Sequence, residues 1–377
     1  MHQVSFYPVN NGDSCQIVLN NGKRILLDYR QHANASDKDK PEIDLAAELK
    51  SELDKAGKDY FDVVAFTHAD KDHIEGSTEF FELRHAQKYQ GDDRVGIAEL
   101  WVPAAMLIES STLEERSEEF VILRQEARYR LREARGIRIF SRPPELLEWM
   151  KTEKIDVDSR SHLFVDAGTL VPTFSLGVDD VEFFCHSPFI KHVEGGGKEV
   201  RNAASLIFNV RFQHEGDYID FLATGDSDYK TLEDIVSITR KHNNEDRLAW
   251  DLFNLPHHCS YLTLSDEKGE KETIPNERVK ELLLAGRKGS YIISSSQPIR
   301  NNREAELQTQ PPHIQAKRCY DRYLKQVEGR KLLVTMEEPN ESKPKPLVFE
   351  LSNGVSLRNN SLKATPLVTT TRAGRAG

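Results

Sequence analysis

Cysteine is scarce in this chain. Cys15, Cys185, Cys259 and Cys319 stand far apart and form no C-x-x-C pair. That argues against a disulfide-built scaffold and for a reducing, cytoplasmic setting. Long apolar runs are missing too. No window approaches the ~18 uninterrupted apolar residues of a membrane span, so no membrane partner is expected. The opening "MHQVSFYPVNNGDS" has no basic segment followed by an apolar stretch, and it reads as a strand rather than a signal peptide. Positive charge is in deficit: 51 Lys and Arg stand against 61 Asp and Glu, a formal net charge of −10. A protein that coats nucleic acid through bulk positive charge is thereby excluded. An enzyme that handles nucleic acid in a local cationic site is not.

What is present suffices for a packed core under a heavily charged surface: 377 residues, 38% hydrophobic and 30% charged. The first thirty residues alternate strand-like runs ("QVSFYPV", "SCQIVL", "RILLDY") with the turns "NNGD" and "NNGK", an antiparallel start. "IDLAAELKSELDKAG" carries apolar residues at Ile43, Leu45, Leu49 and Leu53 and a glycine stop at Gly57, which predicts an amphipathic helix. "FDVVAFTH" is a buried strand. Residues 77–150 read as mostly helical around one strand, "IAELWVP". Strands return at "VEFFCHSP", "ASLIFNVRF" and "YIDFLATGD". Then follow a helix at "YKTLEDIVSITRKH", the stretch "WDLFNLPHHCSY", a helix at "NERVKELLLAG", a strand at "SYIISSS", a helix at "PHIQAKRCYDRYLKQV", and late strands at "KLLVTM" and "PLVFEL". There is no internal repeat. The pattern indicates two packed sheets covered by helices. It sets out a main domain over 1–335 with a helical insertion around 105–160, and a C-terminal strand extension and loose tail over 336–377.

Two features go beyond packing. "AFTHADKDHIEG" crowds His68, Asp70, Asp72 and His73 at the end of a buried strand. Imidazole and carboxylate donors at this density are metal ligands by type, although a self-paired charged loop is the structural alternative. "FLATGDSD" and "LFNLPHHCS" each deliver further donors after a strand, Asp226 in one and His257 and His258 in the other. Taken singly, these read equally as a turn aspartate and structural histidines. The second feature is a basic stripe in an acidic chain that includes Arg128, Arg132 and Arg135. It is either a solvated helix face with interleaved glutamates or a contact for a polyanion.

As a set, these motifs resemble the metallo-β-lactamase superfamily, and within it the hydrolase domain of ComEC-type DNA-internalisation competence proteins. "HADKDH" matches H-x-D-x-D-H. "NNGDSCQIVL" with "RILLDYR", "NAASLIF", "TGDSD", "PHHCS" and "IISSSQPIRNNREAELQTQPPH" are similar to the remaining elements, over about residues 3–325. The chain departs from the pattern at Cys259, where a glycine is usual, and in the inverted pair Pro312–His313. It also lacks the membrane channel of those proteins, so DNA uptake is not its own task.

The resemblance implies an α/β fold, a four-layer αββα sandwich of the metallo-β-lactamase type, and two divalent ions, Zn²⁺ or Mn²⁺ with Mg²⁺ also admissible. His68 and Asp70 would hold one ion, with Asn202 where most members place a third histidine. Asp72 and His73 would hold the other, Asp226 would bridge, and His257, or His258 in its place, would complete the second site. Such a centre retains positive charge, attracts a phosphate and brings the pKa of a bound water to roughly 7. Asp72, His257 and His258 are the implied catalytic residues; Ser260, Arg128, Arg132 and Arg135 are candidate substrate contacts. The expected activity is a metal-dependent phosphodiesterase or nuclease acting on DNA, with the cutting component of a bacterial defence module as one setting for it. The alternatives are a hydrolase of a small phosphodiester, phosphocholine ester or lactone, and a subunit that mainly binds protein partners or further copies of itself.

Overall fold

The structure is a computed structural model and describes residues 1–33, 35, 37, 41–109, 117–192 and 202–358. Chain order gives β1 (His2–Phe6), β2 (Cys15–Val18), β3 (Arg24–Leu27), helix α1 (Leu45–Lys55), β4 (Tyr60–Ala65), β5 (Gly96–Pro103), α2 (Glu118–Arg132), β6 (Ile137–Phe140), α3 (Pro144–Thr152) and β7 (Phe164–Val165). The second half gives β8 (Val181–Ser187), β9 (Ile207–His214), β10 (Asp217–Ala223), α4 (Tyr229–Lys241), β11 (Trp250–Asn254), α5 (Glu277–Leu284), β12 (Gly286–Ser294), α6 (Ile314–Gln326), β13 (Lys331–Val334), β14 (Leu347–Ser352) and β15 (Gly354–Leu357).

Among the described residues the strands form two sheets, ordered β15-β14-β1-β2-β3-β4-β5-β6-β7 and β13-β12-β11-β10-β9-β8. The expected antiparallel start is present: β1 pairs β2 and β2 pairs β3 antiparallel, and β3 to β7 then run parallel.

Strand alternation explains the layering. Val63 and Ala65 point into a core between the sheets, with Phe6, Trp101, Phe183, Phe208, Phe221 and Leu252. Val64 points the other way, into a second core with Leu45, Leu49 and Leu53 of α1 and Phe120, Leu123 and Leu131 of α2. In the second sheet Phe221 faces the shared core, while Leu222, Phe253 and Ile292 face Ile235 of α4, Leu282 of α5 and Tyr320 of α6. Each sheet is thus buried on both faces, which makes a four-layer αββα sandwich. Each buried Val, Leu, Ile or Phe contributes about 1.5–3 kcal/mol. The helix predicted over "IDLAAELKSELDKAG" starts at Leu45 because the Asp44 carboxylate accepts the Ala47 N–H; Ile43 lies outside it.

The region expected as a helical insertion holds α2 and α3 and also the strand β6, "IRIF". Ile137, Ile139 and Phe140 are buried, while Arg138 turns to Glu99 and Thr173. In the stretch set apart as a C-terminal extension, β14 pairs with β1 and so belongs to the first sheet. The expected loose tail, "SLKATPLVTTTRAGRAG", lies outside the described residues. No helix among the described residues is long and apolar enough to cross a membrane.

Candidate metal centre

Strands from both sheets end on one rim and deliver the donors. β4 stops at Ala65, three residues before His68; β10 stops at Ala223 before Asp226; β11 stops at Asn254 before His257. The Leu206 N–H donates to the Thr67 carbonyl at 2.9 Å and closes the rim across the two sheets. Two glycines permit the approach. Gly225 has φ +49°, and a Cβ there would lie 3.2 Å from Ser205 and Thr67. A Cβ on Gly12 would meet the Asp72 carbonyl at 2.9 Å.

One donor atom from each of Asp72, His73, Asp226 and His258 lies within 4.8 Å of the others. His73 Nε2 is 3.2 Å from Asp226 Oδ1, His258 Nε2 is 3.1 Å from Asp72 Oδ2, and His68 Nε2 is 3.8 Å from Asp226 Oδ2. The far side of each ring is anchored. His73 Nδ1 donates to Asp28 Oδ2 at 2.7 Å, His258 Nδ1 donates to the Ser295 carbonyl at 2.9 Å, and His68 Nδ1 meets the Thr67 hydroxyl at 3.2 Å. Because Nδ1 carries the proton in His73 and His258, Nε2 is the atom left to bind. His68 Nε2 is buried without a hydrogen-bond partner, and His73 Nε2 and Asp226 Oδ1, equally buried, have only their 3.2 Å ion pair with each other. Buried polar atoms are rarely left so. The two imidazoles and two carboxylates of His73, His258, Asp72 and Asp226 form a donor set suited to Zn²⁺ or a neighbouring transition metal.

Electrostatics agree. Burial works against a charged His73, but Asp226 and Asp28 outweigh it and hold the ring well above the usual histidine range. Burial likewise opposes charge on His258, yet Asp226 and Asp72 raise it to about 9. Burial dominates at His68, with His73 adding to it, and lowers its pKa. Burial pushes the Asp226 carboxyl upward, but His73, His258 and His257 win and hold it far below the ordinary carboxylate value. The pocket therefore favours positive charge next to Asp226.

The expected residues divide. His68, Asp72, His73 and Asp226 come together, and the compact group takes His258 where the resemblance implied His257 first. His257 is partly exposed; its Nε2 is 3.9 Å from Asp226 Oδ2 and its Nδ1 is 3.5 Å from Asn202 Nδ2. Asp70 is partly exposed, just before the one-turn helix Lys71–Ile74, and is not a member of the compact group. His257, His258 and Cys259 all have positive φ, 48°, 52° and 66°. Three consecutive left-handed residues cost roughly 1–2 kcal/mol each. Cys259, standing where glycine is usual, adopts a glycine conformation. His313 braces this turn: its N–H donates to the Cys259 carbonyl at 3.0 Å, and its Nδ1 accepts the Tyr261 N–H at 3.4 Å.

The expected substrate contacts are engaged elsewhere. Ser260 is buried, and its hydroxyl accepts the Leu262 N–H at 3.3 Å, so it caps the turn at Tyr261–Thr263. Arg128 donates twice to the Leu107 carbonyl and lies 4.7 Å over Trp149; Arg132 pairs with Glu153 at 2.8 Å. Arg135 is exposed, 3.8 Å from Glu133. None of these arginines has a described contact with the centre, because α2 lies in the outer layer of the first sheet.

Sequence reasoning gave no role to Asp28. It has φ +57°, accepts the Thr67 N–H and hydroxyl at 2.7 and 2.6 Å, and orients His73. Its only signal was the carboxylate closing "RILLD". Asp13, Asp28 and His73 form a second compact group, but His73 Nδ1 already donates to Asp28, so that group supports the imidazole from behind.

No family model and no curated protein matches the chain. Among solved structures it is similar to unliganded yeast PDE1, at 10% identity over 88% of this chain and 97% of that one, with a TM-score of 0.43. It is also similar to a diphosphatase of the PhnP family, at 11% identity over 94% and 100% with a TM-score of 0.36. A third is the metallo-β-lactamase GOB-18 of Elizabethkingia meningoseptica, at 13% identity over 86% of both chains with a TM-score of 0.32.

Proposed function

We propose that this chain is a metal-dependent phosphodiesterase of the ComEC-like metallo-β-lactamase type, with DNA as its first substrate class. The observation that carries the reading is the convergence of donor atoms of Asp72, His73, Asp226 and His258, from three separate strand ends, within 4.8 Å of one another. Asp72, His73, Asp226 and His258 would hold one cation, and His68 and Asp70 would hold a second. Bound divalent cations supply Lewis acidity, a lowered pKa for water and compensation of phosphate charge.

The chain's own residues do the remainder. Asp28 and the Ser295 carbonyl fix the tautomers of His73 and His258. Asp72, the partly exposed carboxylate of the group, is placed to accept a hydrogen bond from the attacking water. His257, also partly exposed and oriented toward Asp226, is placed to give a proton to the leaving oxygen. The apolar cores on both sides of the rim keep its base dry, which strengthens each of these contacts.

One observation favours the narrower substrate of the alternative reading, a small phosphodiester, phosphocholine ester or lactone. Arg128 and Arg132 are committed to Leu107, Trp149 and Glu153, which leaves Arg135 as the exposed member of the three. The buried, unpaired cysteines fit a cytoplasmic enzyme.

The test incubates metal-loaded protein, with Zn²⁺ or Mn²⁺, with supercoiled plasmid, labelled oligonucleotides, bis-p-nitrophenyl phosphate and a lactone. Asp226→Ala serves as the control. Cleavage of DNA supports the proposal. Turnover of the small esters with DNA left intact moves the assignment to the alternative. No turnover of any substrate by metal-loaded protein overturns the enzymatic reading.

A further inference from the structure

Behind His258 a ring of buried polar groups joins the two sheets, and no step above uses most of it. Asp13 lies in the β1–β2 loop, Asn254 ends β11 and Ser295 follows β12; all three are buried. Asn254 Nδ2 donates to Asp13 Oδ1 at 3.5 Å, and Ser295 Oγ donates to Asn254 Oδ1 at 3.3 Å. The Ser295 carbonyl accepts from His258 Nδ1 at 2.9 Å, and His258 Nε2 reaches Asp72 Oδ2 at 3.1 Å. The circuit closes through the backbone, where the Asp13 N–H donates to the Asp72 carbonyl at 3.3 Å.

Each link has a physical direction. Asn254 is held one way round, because flipping its amide would set an oxygen against the Asp13 carboxylate. That orientation turns its own oxygen to the Ser295 hydroxyl. Strand register adds a second hold: Asn254 pairs with Ile293, two residues before Ser295, so the carbonyl that receives His258 is placed by the β11–β12 ladder. The hold is needed because His258 sits in a left-handed backbone run that would otherwise relax. Asp13 Oδ2 has no partner. A buried carboxylate that is half satisfied is a poor choice for packing alone.

We propose that Asp13, Asn254 and Ser295 are positioning residues, a buried relay from the first sheet that fixes the ring of His258 so that Nε2 stays directed at the cation site between Asp72 and Asp226. The inference rests on the metal-centre reading and is independent of whether the substrate is DNA.

The test is a Zn²⁺ titration against a competing chelator, with Co²⁺ absorption as the spectroscopic signature and melting of the metal-free protein in chelator as the structural control. The wild type binds Zn²⁺. Asp13→Leu and Asn254→Leu lose roughly 10–100-fold in affinity, the range seen when groups that orient a ligand are removed. Asp13→Asn, which can still accept from Asn254, recovers most of it. Ser295→Ala, the mildest change and the one least able to disturb folding, loses about threefold to tenfold and shifts the Co²⁺ spectrum. Affinities within twofold of wild type in all variants, with only the metal-free melting temperature lowered, would mean a packing role and overturn the inference. A wild type that binds neither Zn²⁺ nor Co²⁺ removes the metal centre itself, and the positioning role with it.

Discussion

Glu126 and Arg130, one turn apart on α2, are buried as deeply as His73 and Asp226 at the rim. Their surroundings are built differently. Arg130 Nε meets Glu126 Oε1 at 2.6 Å, and its terminal nitrogens donate to the Gly136 and Ile97 carbonyls at 2.8 and 3.2 Å. The second oxygen of Glu126 accepts from the backbone and ring of His85 at 2.9 and 3.0 Å. Charge is balanced within the chain. At the rim the Nε2 atom of His68 has no hydrogen-bond partner, and that of His73 has only its 3.2 Å ion pair with Asp226. Both clusters consist of costly buried charge. One completes its own coordination; the other gathers the donors of a candidate metal site. Unmet valence, more than burial or charge, separates a site from a scaffold.

The comparison can be broken most sharply at Asp226. Asp226→Ala is expected to lower the hydrolysis rate by on the order of 10³-fold or more and to abolish tight metal uptake, while the metal-free protein melts no lower than wild type. Chelator titration and calorimetry report the two halves separately. The converse change is Arg130→Met, which strands the Glu126 carboxylate. Stability should fall by about 3–5 kcal/mol in denaturant unfolding, with metal affinity retained. Adding Glu126→Leu should recover much of that loss.

His186 offers a third kind of burial. Its Nε2 donates to the Arg247 carbonyl at 2.9 Å, and burial lowers its pKa to about 4. In the unfolded chain the ring titrates near ~6.5, so the unfolded state takes up the proton first. The contribution of His186 to stability is complete above that pH and is lost as pH falls toward about 4, with a total effect of about 3 kcal/mol. Denaturation at pH 7 and pH 4.5 should show a smaller acid loss for His186→Gln than for wild type. The smallest effect is expected at Arg135, an exposed side chain beside Glu133. Arg135→Gln should leave stability within ~0.5 kcal/mol and the salt dependence of DNA binding unchanged. A reduced salt slope would restore the stripe as a polyanion contact.

The fold was widely legible because local pattern and burial coincide in it. "FDVVAFTH" alternates Val63 and Val64 between two cores, and "YKTLEDIVSITRKH" sets Leu232, Ile235 and Val236 on one face. β6 escaped because four residues carry little periodicity and Arg138 sits among them. Of the centre, His68, Asp72, His73 and Asp226 could be named because each is a costly donor at a strand end. The choice of His258 over His257 could not, since two adjacent histidines are equivalent until backbone dihedrals decide which ring turns inward.

The chain's order of residues alone determined its strand and helix content, its lack of an apolar span and the types of donor it offers, because these depend on neighbours within a few positions. Which imidazole nitrogens are tied back, that Ser260, Arg128 and Arg132 are engaged in turns and helix packing, and that Asp13 and Asp28 stand behind the histidines were decided only by the packing of the two sheets. Those outcomes hang on distances between strands remote in sequence. Partial or complete satisfaction of a buried group is a property of the assembled rim, and no local pattern encodes it.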